Sequence, residues 1–270
     1  MGEGERPVKT AAWMQAVRRQ LDLGRLLPLG EPDDGTWITE QAAVRALRPT
    51  AAEIPGVRLE TLRIGPAPLE PVSEPAVRAP ASALPPGPLR IEAAFTASMG
   101  QPLPRTAEQL RRTLLNVAAE RLGLATVAVD LRVTDLHEGP ERGTRSPTER
   151  TMGPPPEAAA ARSSLPTTGT GPERGLIGEL SDVVAAVPGV ARLTAMLGSH
   201  PVKVEQYDHP PGLHIEIQLA VTPGCHPLEV ARAVRAAVAD AATSKTPGPV
   251  TAAVLVTEAT AYSPIYHEGC

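Results

Sequence analysis

Aromatic side chains are scarce in this chain. There are six in 270 residues: Trp13, Trp37, Phe95, Tyr207, Tyr262 and Tyr266. None cluster before the C-terminal stretch, so the sequence offers no stacking platform for single-stranded bases. Cysteine is scarcer still. Cys225 and Cys270 cannot build a disulfide framework or a four-cysteine zinc site. Lysine occurs only at Lys9, Lys203 and Lys245. Basic residues total 26 against 30 acidic ones, giving a net charge of −4 and a pI near 5.9. A dedicated nucleic-acid binder would normally carry a strongly basic domain. The surplus of Ala, Arg, Pro and Gly fits a high-GC bacterial genome, so the arginines point only weakly to phosphate. No run approaches the roughly 18 apolar residues of a membrane span. The opening Met1–Thr10 is polar, unlike a secretion signal. These absences predict a soluble, cytoplasmic protein.

What is abundant is proline and glycine, 31 and 23 residues, a fifth of the chain. Eight prolines fall within Pro66–Pro88. A second stretch, His137–Arg174, includes Pro154-Pro155-Pro156. Proline lacks a backbone donor and fixes φ, so neither stretch fits a helix interior or a central strand. Both read as linkers. The expected layout is an N-terminal amphipathic helix and lead-in over 1–30, then a first α/β domain over 31–136 with a Pro-rich insert at 66–88. A linker over 137–174, a second α/β domain over 175–260 and a tail over 261–270 follow.

The two flanking halves resemble each other. Ile54-Pro55-Gly56-Val57 matches Val187-Pro188-Gly189-Val190, and Leu89-Arg90-Ile91-Glu92 matches Leu213-His214-Ile215-Glu216. Pro102-Leu103 matches Pro227-Leu228, and Val133-Thr134-Asp135 matches Val256-Thr257-Glu258. The order is the same and the spacing nearly so. Leu213, Ile215, Ile217, Leu219 and Val221 alternate as in a half-buried strand. Val127, Val129, Leu131 and Val133 do so too, as do Val250, Ala252, Val254 and Val256. Leu110, Leu114, Val117 and Leu122 recur at helical spacing, as do Val230, Val234, Val238 and Ala241. Shorter apolar helices are expected over Ile38–Leu47, ended by Pro49, and Ile177–Val187. Each half reads helix, one or two short strands, strand, helix, strand. The strand–helix–strand part predicts a parallel crossover, with the preceding strand antiparallel. The fold class is α/β: two similar small α+β two-layer sandwiches, each with helices on a mixed sheet.

Chemistry-bearing patterns are few. No Gly-x-Ser-x-Gly elbow, phosphate loop or His-Glu-x-x-His motif occurs. Cys225-His226 reads as turn residues before a helix, with a thiol activated at a helix N-terminus as the sharper alternative. His209 and His214 flank a turn that His226 could approach; a fortuitous surface group is the expected reading. His137, His200 and the terminal His267-Glu268-Gly269-Cys270 suggest no ligand set. No catalytic, cofactor or metal residue is assigned. In Ala11–Leu29, Trp13, Val17 and Leu21 recur at i, i+4, i+8 beside Arg18, Arg19 and Arg25, the pattern of a basic amphipathic helix. It docks on the first domain or offers itself to a partner or an anionic membrane.

The second half, over about Leu176–Ala259, resembles the alkaline-shock or general-stress family of envelope stress response proteins. The resemblance rests on Val187-Pro188-Gly189-Val190, Leu213–Val221, the helix from Pro227 to Ala242, and Val250–Thr257. The first half would be a diverged second copy. Trp13–Gly30 and Trp37-Ile38-Thr39-Glu40 also give the chain a layout similar to streptomycete proteins that carry a nucleopolyhedrovirus-type family name. The resemblance implies a non-enzymatic, oligomerising protein that a partner recruits to the inner face of the envelope, with no cofactor. The expected function is therefore protein–protein interaction or self-association. A KH-like RNA module is the alternative, though neither half has a Gly-x-x-Gly loop between helices. A small-molecule enzyme ranks third.

Overall fold

The computed structural model describes residues 24–68, 72–138, 172–198, 200–208, 211–245 and 248–260. Helices and mixed β-sheets make an α/β fold. Strand β1 (Leu26–Pro28) and a single 3-10 turn (Pro32–Asp34) lead to β2 (Thr36–Thr39) and helix α1 (Glu40–Ala52). Strands β3 (Val57–Pro66) and β4 (Leu89–Ser98) follow, then α2 (Leu103–Val117), extended by a π turn (Ala118–Leu122), and β5 (Thr126–His137). Beyond the undescribed segment come α3 (Pro172–Ala185), β6 (Val190–Leu193), β7 (Val202–Asp208), β8 (Pro211–Val221), α4 (Pro227–Thr243) and β9 (Val250–Glu258).

One sheet has the order β3-β4-β5, with β3 antiparallel and β5 parallel to β4. The other runs β1-β2-β9-β8-β6, with β7 also on β8. There β6 and β7 are antiparallel and β9 parallel to β8. Val57 faces Ala97 across β3–β4, and Val190 faces Val221 across β6–β8. Phe95 faces Val133 across β4–β5, and Leu219 faces Val256 across β8–β9. Ile91 and Ile215 are both fully buried, Val256 is buried, and Val133 packs against the same core from a partly buried position. Gly56 and Gly189 both take left-handed φ, 77° and 87°, in the turn after α1 and α3. Only glycine adopts that region without cost.

The expected helix at Ile38–Leu47 is corrected. Ile38 belongs to β2, and α1 begins only at Glu40, where the Thr39 hydroxyl accepts from the Ala42 N–H at 3.2 Å. That is an N-cap, which fixes the start. Pro49 does not end the helix, which continues to Ala52. It falls in the last turn, where it removes one hydrogen bond at most. Burial of Ala46, Leu47 and Ala51 holds the rest of the turn.

Strand β2 crosses the division expected at residues 137–174. It lies parallel to β9, pairing Trp37 with Leu255 and Ile38 with Val256. Around it the halves interlock. Val254 N–H donates to the Gly35 carbonyl at 3.0 Å. The Arg232 guanidinium forks onto both oxygens of Asp34 at 2.7 and 2.9 Å and holds that carboxyl below its ordinary pKa. A single apolar core contains Ile38, Leu47, Phe95 and Leu110 together with Leu180, Ile217, Val234 and Val254.

Within Pro66–Pro88, expected as a linker, the described residues 72–88 lie against the outer face of the six-stranded sheet. These described residues form no helix or long strand, as the prolines dictate. They are anchored by separate bonds: Leu84 N–H to Leu26 O at 2.8 Å, Ala76 N–H to Pro32 O at 3.2 Å, and the Trp37 indole N–H to Leu84 O at 3.4 Å. Val77 of this segment joins Leu26, Trp37, Ala253 and Leu255 beneath it in a second apolar cluster.

Candidate functional site

Strand alternation sends successive side chains of β8 and β9 to opposite faces of the sheet. Leu213, Ile215, Ile217 and Leu219 face the helices and the main core. His214, Glu216 and Gln218 alternate with them and so share the outer face. On β9, Val254 and Val256 belong to the main core, whereas Ala253 and Leu255 belong to the outer cluster. The insert covers one part of that outer face, and the loop at Met196–Gly198 covers another. Between the two lies a cleft of about 740 Å³. This volume falls in the range of small-molecule sites.

The apolar end of the cleft is built by Ala253, Leu255, Pro80, Met196 and Leu197. Gln218 fixes its wall. The amide oxygen accepts from the backbone N–H groups of Met196 and Leu197 at 2.9 and 2.7 Å, and the amide nitrogen donates to Leu197 O at 2.6 Å. A buried amide used on both sides holds a loop firmly.

The polar end joins Arg78 of the insert to β7 and β8. Arg78 donates to Glu205 at 2.9 Å and to the Tyr207 hydroxyl at 2.8 Å, and Tyr207 donates to Glu205 at 3.2 Å. Lys203 is also bound to Glu205. The Lys203 hydrogen bond lowers the Glu205 carboxyl pKa, and the same contact raises that of Lys203. Glu216 stands apart. Its oxygens lie 3.8 Å from Lys203 Nζ and 3.9 Å from His214 Nε2, both beyond hydrogen-bond range. His214 is 1% exposed, and burial lowers its pKa below the ordinary histidine value. Its Nδ1 meets the Thr251 hydroxyl at 2.9 Å, and its Nε2 is buried with no partner.

Trp13, Val17 and Leu21 lie outside the described residues, as do most of 137–174 and the tail 261–270. Cys225 is 2% exposed and packs beside Gly189. His226 sits at the N-cap position of α4, next to Gly123. His214 lies near the start of β8 and His226 beyond its end, so the structure does not bring them together. Among the described residues, no group of three or more His, Cys, Asp or Glu could hold a metal ion. No described helix is long and apolar enough to cross a membrane.

Two other surfaces bear on the expected functions. The outer face of the three-stranded sheet carries Arg63, Arg90 and Arg132 interleaved with Glu92 and Asp130. Arg90 binds Glu92 at 2.6 Å and Asp130 at 3.1 Å. Alternating signs do not make the continuous basic stripe of a nucleic-acid site. Strand β5 pairs only with β4 among the described strands. Its register shifts near both ends, and Arg111 Nε donates to its Val129 carbonyl at 3.3 Å. Bulges and covering charges of this kind blunt an edge against strand addition.

No family model, curated protein or solved structure matches the chain.

Proposed function

We propose that this protein is a non-enzymatic binding protein built from two diverged copies of one α/β unit, and that it engages an amphipathic partner group in the cleft. One observation carries the reading. The outer face of the closing parallel strand is charged and open on β5, at Asp130 and Arg132, but apolar and roofed on β9, at Ala253 and Leu255. Counting along matched strands, Glu92 corresponds to Glu216, Asp130 to Ala253 and Arg132 to Leu255. The duplication is supported by the shared pairings Val57–Ala97 with Val190–Val221 and Phe95–Val133 with Leu219–Val256. Replacement of a solvated ion-pair face by an apolar floor beneath a 740 Å³ cleft is what a binding surface requires. The non-catalytic part rests on pairing. Arg78, Lys203 and Gln218 are already engaged by protein groups, which suits holding a ligand rather than transforming it. The stress-family resemblance fits an interaction role in the cytoplasm with recruitment to the envelope by a partner.

Trp37 provides the readout, because its register partner Leu255 lines the cleft. In a Trp13→Phe background, titration with n-octanol should change Trp37 emission saturably. Leu255→Arg, which restores the residue type of Arg132, should abolish that change. A non-saturating drift, identical with and without Leu255→Arg, would overturn the reading.

A further inference from the structure

An open sheet edge offers backbone donors and acceptors to another strand, and most edges of the described strands are closed. The outer edge of β3 is capped from α1, where Glu40 accepts the Ile64 N–H and Arg48 donates to the Leu59 and Glu60 carbonyls. Strand β1 is crossed by the insert, whose Leu84 N–H donates to Leu26 O. Strand β6 has four residues and a register shift. Strand β7 differs. It runs over seven residues without proline and pairs with β8 in unbroken register. Among the described residues, only β8 hydrogen-bonds to its backbone.

The ladder fixes which groups face outward. Gln218 N–H donates to Pro201 O at 2.9 Å, so these two residues form a bonded pair. Bonded pairs alternate along an antiparallel ladder, so Lys203, Glu205 and Tyr207 turn their backbone groups to β8. Val202, Val204 and Gln206 turn theirs outward. The side chains of Lys203 and Glu205 share the outer face and bind each other there. Val204 packs against the main core from the inner face.

We propose that β7 pairs antiparallel with β7 of a second copy of this chain, about a twofold axis through Val204. This goes beyond the cleft reading and does not depend on it. The outward groups of one strand must bond to those of the other, which restricts the register. Centred on Lys203 or on Glu205, the pairing sets like charges directly opposite, which is destabilising. Centred on Val204, it sets Lys203 of each copy opposite Glu205 of the other. Val204 then faces its counterpart, and Val202 of each copy faces Gln206 of the other. Lys203 and Glu205 fall in the non-bonded pairs, where opposed side chains approach closest. A lysine on an edge strand ordinarily opposes strand addition. Here Glu205, two positions on, makes the edge complementary to itself in one register and unfavourable in the adjacent ones. The same patch serves both copies, so the assembly closes as a dimer.

The test is sedimentation velocity of the full chain at increasing concentration. Edge pairing is a small interface, below roughly 1,200 Å², so the dimer should be weak and should appear as a concentration-dependent rise toward twice the monomer mass. Gln206→Pro deletes an outward N–H that the β8 ladder does not use, and should leave only monomer. Gln206→Ala keeps that N–H and should dimerise as the unchanged chain does. Lys203→Glu sets carboxylates opposite each other at both pairs and should weaken the dimer about tenfold. Far-ultraviolet circular dichroism checks that Gln206→Pro keeps its sheet. If it does not, Lys203→Glu decides alone, because that side chain is 55% exposed. A chain that stays monomeric at about 1 mM would overturn the proposal. A dimer equally strong in Lys203→Glu, or in a folded Gln206→Pro, would place the contact elsewhere and overturn it as well.

Discussion

Truncating Ile38 to alanine tests whether the two halves form one cooperative body. Ile38 is fully buried on β2, pairs with Val256 of β9, and belongs to the core shared by Phe95 and Val234. Removing its branched side chain deletes apolar contacts and leaves a cavity bounded by both halves. Ile→Ala at such a site costs about 2–5 kcal/mol. Against a typical stability of about 5–15 kcal/mol, that is a large share of the total. Urea unfolding followed by far-ultraviolet circular dichroism and by tryptophan emission should show one transition by both probes. Its midpoint should fall and its slope stay unchanged, because the same surface is exposed on unfolding. Leu136→Ala, at a position 47% exposed on β5, should shift stability by no more than about 0.5 kcal/mol. Two separated transitions, only one of them moved by Ile38→Ala, would refute the shared core. So would a loss below about 1 kcal/mol at a fully buried isoleucine.

The turn glycines should both resist substitution. A Cβ on Gly56 would lie 2.7 Å from Ser98 Cβ, and one on Gly189 would lie 2.5 Å from Val230 Cγ2. Each Gly→Ala should therefore cost about 1–3 kcal/mol by chemical denaturation, and a neutral result at either would show that the turn relaxes. Glu40 accepts the Ile64 N–H at 3.1 Å on the outer edge of β3 and is 5% exposed. Glu40→Ala should cost about 1–3 kcal/mol by stranding that donor, and Glu40→Gln should cost less because its amide oxygen still accepts. Equal losses for the two variants would show that the hydrogen bond is not what Glu40 contributes. His214 and His226 both have pKa values lowered by burial, so the unfolded chain binds their protons more readily than the folded one. Their influence is absent above the ordinary histidine pKa of 6.5, and stability falls as the pH drops below it. His214→Asn should flatten the decline between pH 7.5 and 5.5 in the same urea assay, and an unchanged slope would show that His214 keeps its ordinary proton affinity.

The α/β class was legible because β8 and α4 carry clean periods. Leu213, Ile215, Ile217 and Leu219 alternate, and Val230, Val234 and Val238 recur every four residues, so local pattern and final burial agree. The strand at Thr36–Thr39 was not, because four residues carry too little period to separate from the helix that follows. The Thr39 cap did mark that boundary. The docking of the insert on the sheet was not legible, for a different reason. Its order depends on Leu26, Pro32, Trp37 and Glu205, residues up to 127 positions away, and nothing local encodes those contacts. The cleft floor did leave a trace. From Ala252 to Val256 every residue of β9 is apolar, whereas β5 places Asp130 and Arg132 between its valines and leucine. An unbroken apolar strand is one buried on both faces, and its second cover had to come from somewhere.

The roof of the cleft leaves and rejoins the fold at a single point, because Pro66 and Leu89 are paired neighbours on β3 and β4. A segment whose ends already touch can change length or composition without moving either strand, and lengthening it costs only slowly rising closure entropy. The floor of the cleft belongs to the second half of the chain and the insert over it to the first. The cover can therefore vary through residues 67–88 while Leu255 and Ala253 of the floor stay fixed. In this architecture the covering segment is a replaceable part, and the sheet beneath it is the permanent one.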